Sequence, residues 1–196
     1  MGSLEAFEAT WSQARRTYGQ DSPAGGAQFD GSAALRGLQS DVESAVPGSH
    51  WRGDGATAYA AANAEHAQVF GALAALDARL AAEIDRSAEI VTHGRTDLDA
   101  VRDRTVSAAT SVPNAGAGHA LQMLIVSKGL SRLSAIMENS HSELTAVGAS
   151  IQQIGTEYAG ISDRRFARTR PVPPNPAHGD PPTDAARRRV GRTVSV

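Results

Sequence analysis

Apolar side chains recur along this chain in alternating steps of three and four. Near the start they are Leu4, Phe7, Trp11, Ala14 and Tyr18. Leu35, Leu38, Val42 and Ala45 keep the rule, and so do Tyr59, Ala62, His66, Val69, Leu73, Leu76 and Leu80. The pattern drifts through Ile84, Val91, Leu98 and Val101. It sharpens again in a run that includes Val126, Leu130, Leu133, Met137, Ser140, Leu144, Val147, Ile151, Ile154, Tyr158 and Ile161. On a helix such steps gather side chains into one stripe, the pattern of left-handed bundle packing. No stretch of the sequence shows the period of two that a half-buried strand needs. The predicted fold is all-α.

The breaks between stripes are rich in Gly and Pro. "GQDSPAGGAQFDG" (19–31) separates the first two helices, with Ser32 or Asp30 as the N-cap. "PGSHWRG" (47–53) ends the second helix, and Asp54 or Gly55 opens the third. "SVPNAGAG" (111–118) separates the third from the fourth. The third helix is predicted from about residue 55 to about 108, and the fourth from about 118 to about 163. At ~1.5 Å per residue these are rods of roughly 80 and 70 Å. Their short connection makes them antiparallel neighbours. The expected architecture is an elongated antiparallel hairpin, or four-helix bundle, of two long and two short helices. Gly94 is the expected site of a kink or break in the third helix.

Beyond residue 164 the pattern stops. Residues 165–196 hold six of the nine prolines and almost no apolar periodicity, so a disordered C-terminal tail is expected after a helical domain of residues 1–164. Charge divides at the same place. Eight Arg against two Asp from Arg164 onward leave the tail at about +6 and the preceding part at about −8, although the net charge is only −2. The tail arginines could hold nucleic acid or anionic lipid. They lack interleaved aromatics beyond Phe166, so a solvated tail, or one folding back on the acidic body, is the expected reading.

Composition narrows the chemistry. Hydrophobic residues make up 41% of the chain, much of it Ala, which suits helix against helix but not a thick core. The absence of Cys excludes disulfides and thiolate catalysis and leaves the compartment open. The first residues lack an apolar h-region, so no Sec-type signal peptide is expected. The apolar run Val69–Leu76 is too short to span a membrane. The six histidines do not fall at metal-ligand spacing, and "NAGAGH" lacks the strand–loop–helix context of a phosphate cradle. No cofactor, metal, small-molecule substrate or catalytic activity is expected, because a slim bundle leaves little room for a pocket. His66 falls in the core stripe. Glu65 and Asp77 are read as solvated, or Asp77 with His66 as a polar contact between the long helices.

Trp51 stands out, because aromatics are only 5% of the chain and a glycine-rich break does not call for an indole. It could plug the domain's own core at the bend. It could instead form a recognition corner with Gly53, beside a small-residue face of Ala56, Ala58, Ala60, Ala61 and Ala62. Trp51-Arg-Gly53 resembles the W-x-G turn of type VII (ESX) secretion substrates of actinobacteria. The closer likeness is to EspA/EspE-like secretion-associated proteins, whose segment after W-x-G resembles Trp51, Gly53, Ala56, Tyr59, Asn63, His66, Phe70, Leu73, Leu76, Asp77, Leu80, Ile84 and Ala88 without a gap. "GHAL" at 118–121 resembles the start of that family's next segment. The likeness is good over 47–91, thin over 1–46 and 92–163, and absent from the tail.

The resemblance implies a helical hairpin and a non-enzymatic role in type VII secretion, as an exported or cell-surface effector or an accessory factor. It also implies a helical partner or secretion chaperone, such as a small protein bearing a Y-x-x-x-D/E signal. The nearest such signal here is Tyr158 with Asp163, one residue too long. A helical step of four keeps both side chains on one face, whereas a step of five turns the acid away. Tyr158 is therefore read as packed in the core stripe. The alternative is a cytoplasmic coiled-coil adaptor that homo-oligomerises.

Overall fold

A computed structural model describes residues 2–113 and 116–168, with side chains as far as Asp163. Among the described residues four α-helices follow one another: α1 (Ser3–Thr17), α2 (Ser32–Ser44), α3 (Asp54–Thr110) and α4 (Ala117–Arg168), with a 3-10 turn at Gly26–Gln28 between α1 and α2. No strand occurs among the described residues. The fold is all-α, with the two long helices packed against each other. Met1–Ile161 forms one compact unit. The expected end of the helical domain at residue 164 falls inside α4, which continues to Arg168. The rest of the predicted disordered tail, from residue 169, lies outside the described residues.

Contacts between α3 and α4 run in opposite order along the two helices. Gln122 Nε2 donates to the Ala109 carbonyl at 3.3 Å, Ser140 lies beside Gly94, and Arg79 pairs with Glu157 at 2.6 Å. The 57 residues of α3 are an unbroken helix through Gly94, so the expected break does not occur. Gly94 is buried and serves a contact instead. A Cβ there would run into the ring of Tyr18 at the end of α1, and Ser140 Oγ lies within 3.1 Å of the same point. The cost of glycine in a helix is offset by close packing of three elements.

The large core side chains gather where α1 covers the hairpin. Phe7, Leu98 and Leu133 are fully buried there, with Ala14, Val101 and Val126. Glu5 accepts from the Gly2 amide at 2.9 Å and closes the first turn of α1. Arg15–Asp99 and Arg102–Glu8 pairs flank the seam, and Arg102 also lies over the Trp11 ring, 4.7 Å from its centroid.

The linker after α1 is bound through its backbone. Arg95 donates to the carbonyls of Tyr18 and Asp21. Asp85 Oδ1 accepts from the Gly26 amide at 2.6 Å, and Asp77 Oδ2 accepts from the Gly31 amide. Gly26 lies against the backbone of Ala81 with no space for a Cβ. A glycine-rich segment offers few side chains to pack, so charged side chains of α3 hold its amides and carbonyls. Asp30 Oδ1 then accepts from the Ser32 amide at 2.9 Å and starts α2.

Candidate interaction surface

The α2–α3 corner is built by a tight turn and one special glycine. The Trp51 amide donates to the Gly48 carbonyl at 3.0 Å, and Arg52 Nε donates to the Ser49 carbonyl at 3.1 Å. Gly53 has φ 98°, a conformation that a side chain resists, and it caps α3. Asp54 then places a carboxylate in the first turn, where the helix dipole favours it. The indole of Trp51 leans toward Gly55 and rests against the Tyr59 ring, with centroids 5.2 Å apart and planes at 45°. Trp51 is 49% exposed and Tyr59 40%.

The indole therefore does not plug the core. Buried Ala56 occupies the inner position of this corner. Alanines on α3 let the α2 and α3 backbones approach closely, and a close approach leaves no cavity for a large ring. Of the small-residue face, Ala60 is half-buried, while Ala58, Ala61 and Ala62 are exposed.

Asn63 ties the corner to α2. Its Nδ2 donates to the carbonyl of Ala45, the C-terminal cap of α2, at 2.6 Å. His66 is exposed, which corrects its expected place in the core stripe. A second inward stripe runs one residue later, through Ala56, Ala60, Asn63, Ala67, Phe70, Ala74, Asp77 and Ala81, all buried or half-buried, beside the predicted one, of which Leu76 is buried and Val69, Leu73 and Leu80 are half-buried. A shift of one residue turns a helix face by about 100°. The larger residues drew the predicted stripe, but the small ones make the closest contact.

Tyr158 is half-buried, and its hydroxyl donates to Asp77 Oδ1 at 3.3 Å. Burial pushes its pKa up, with further contributions from the Asp77 charge and this hydrogen bond. Asp77 is thus engaged by both the Gly31 amide and the Tyr158 hydroxyl; the polar contact between the long helices pairs it with Tyr158 rather than His66. Asp163 is exposed. Asp77, beside Tyr158, lies about 35 Å along α3 from its start, so Tyr158 does not join the Trp51 corner.

Sequence reasoning missed Asp85 and Arg95 and did not foresee the Asp77–linker contact. A signal was present, since a carboxylate inside an inward stripe needs donors, and a linker with adjacent glycines exposes main-chain donors.

Residues 18–100 match the model of the EspA/EspE family. Over that segment the chain is similar to the EspA/EspE family. The match covers less than half of the chain and begins earlier than the resemblance around the corner suggested. It opens at Tyr18, takes in the linker, α2 and the Trp51 corner, and closes just beyond Arg95. All three linker clamps lie within it. No curated protein and no solved structure matches the chain. The family relates the EspA/EspE-like chain to type VII secretion. Among its described residues, no helix is long and apolar enough to cross a membrane.

Proposed function

We propose that this chain is a non-catalytic type VII secretion-associated factor, exported through that system, which acts by binding a helical partner protein at the Trp51 corner. The observation that carries this reading is the half-exposed Trp51–Tyr59 ring pair. Trp and Tyr dominate binding energy at protein interfaces because they bury much area at small entropic cost. Gly53 fixes the direction in which the pair is presented, and exposed Ala58, Ala61 and Ala62 let a second helix approach. Asn63 keeps the end of α2 against α3, so the corner is set before binding. The partner is a helical secretion chaperone or a small protein that supplies the Y-x-x-x-D/E signal, which the Tyr158–Asp163 spacing does not reproduce.

The test compares culture supernatants from strains with and without the system's ATPase. Export only in the first strain, together with its loss in Trp51→Ala/Tyr59→Ala, is the expected outcome. Equal amounts in both supernatants would end the reading. A cytoplasmic adaptor would instead form a stable homo-oligomer, with the protein confined to the cell pellet of both strains.

A further inference from the structure

A second surface lies at the other end of α3, around the first turns of α4. From Arg104 to Met137 the sequence contains no Asp or Glu, although the chain holds 21 of them. The same stretch carries Arg104, Lys128 and Arg132. These three cations line one groove of about 180 Å³ between α3 and α4, whose wall includes Ile125 and contains no carboxylate. All three are exposed, and among the described residues none has a carboxylate partner. Arg104 Nε donates to the Ala100 carbonyl of its own helix, at 2.9 Å.

Beside the cations are bare apolar side chains. Leu121 is 49% exposed and Leu124 52%. Leu121, Leu124, Lys128 and Arg132 follow helical spacing and share one face of α4, opposite buried Val126 and Leu133. The face is apolar in its first turns and cationic from about 6 to 12 Å further along the axis. An interfacial membrane helix has the same two parts, apolar side chains at the acyl boundary and long cations reaching phosphate headgroups.

We propose that this face of α4 docks on an anionic lipid surface, with Leu121 and Leu124 entering the interface and Arg104, Lys128 and Arg132 contacting lipid phosphates. The unpaired cations choose the occupant. A face built for an apolar protein partner alone would not need three uncompensated charges around one groove. Docking of this kind lies in the interface plane and needs no membrane-spanning helix.

The full-length protein is tested by flotation with vesicles of phosphatidylcholine, with and without phosphatidylserine. Wild type should float only with the phosphatidylserine vesicles. Lys128→Glu/Arg132→Glu should weaken binding by about twenty-fold or more. Leu121→Ser/Leu124→Ser should weaken it by about ten-fold or more. All four side chains point outward, so far-UV helicity should stay unchanged; a pair that loses helicity is replaced by Lys128→Gln or Leu124→Ser alone, read in the same way. Wild type that fails to float, or floats equally well without phosphatidylserine, overturns the proposal. Undiminished binding by either pair also overturns it and moves the attraction elsewhere in the chain. So does full competition by inorganic phosphate with the leucine pair unaffected, which would mark a free-anion site. A solution dimer that becomes monomeric in the leucine pair, without vesicles, would assign the face to a second copy and overturn it too.

Discussion

The two halves of α3 are held by different physics. Toward its C-terminal end, under α1, the helix packs through Leu98 and Val101 against Phe7, Val126 and Leu133. Toward its N-terminal end, beside α2, four of its five buried apolar residues are alanines: Ala56, Ala67, Ala74 and Ala81. Leu76 is the fifth, while several large side chains of that region face outward, with Phe29 56%, Leu38 47% and Val46 66% exposed beside Trp51 and Tyr59. Asp77, Asp85, Asn63 and Arg95 hold the linker and α2 by hydrogen bonds to main-chain atoms. One half buries its largest side chains, and the other leaves several of them available for contact.

The sharpest way to break this comparison is to truncate one large residue in each half. Phe7→Ala should cost about 3–5 kcal/mol, as for a fully buried aromatic. Trp51→Ala, by contrast, should change stability by less than about 1 kcal/mol. Denaturant titrations followed by circular dichroism would read both. Equal losses would show that the corner is part of the core after all.

A middle-sized effect belongs to the linker. Gly26→Ala puts a Cβ into the Ala81 backbone and should cost about 1–3 kcal/mol. Asp77→Ala removes the acceptor for Gly31 and Tyr158 and should cost a similar amount, about 1–3 kcal/mol. Hydrogen exchange should locate both losses in α2 and the linker, while amides near Leu98 keep their protection. Uniform loss across α3 would mean that the halves are not separable.

The smallest effect is a pH dependence. A hydrogen bond from Arg79 holds the Glu157 carboxyl below its ordinary 4.5. A carboxylate with a lowered folded pKa contributes stability that is whole above the unfolded value and disappears as pH falls through the folded one. Arg79→Gln should therefore flatten the acid limb of a stability–pH profile slightly and leave the neutral range almost unchanged. Both partners are well exposed, so the change is expected near the limit of detection.

The helical pattern of the sequence carries the fold at the level of elements. The third helix, expected from about residue 55 to about 108, spans Asp54–Thr110, and α4, which starts at Ala117, packs antiparallel to it as expected. Periodicity works there because a long helix repeats its signal over many turns. It misses the second inward stripe, through Ala56, Ala67, Ala74 and Ala81, because alanine is a weak apolar marker although it permits the closest packing. The stripe through Leu73, Leu76 and Leu80 is buried or half-buried, but it does not carry His66 inward with it. Trp51 shows a second limit, since a sequence reports that a residue is apolar but not whether space exists to bury it. The contacts of Asp77, Asp85 and Arg95 could not be read from spacing, because their partners are amides and carbonyls of residues far away in sequence.

That last arrangement bears on how such a protein can diverge over time. Main-chain atoms are common to every amino acid, so a grip on them tolerates replacement of most linker residues except those, like Gly26, that lie too close for any side chain. The exterior of this region can therefore accumulate substitutions, and with them new binding preferences, while the joint beneath stays as it is.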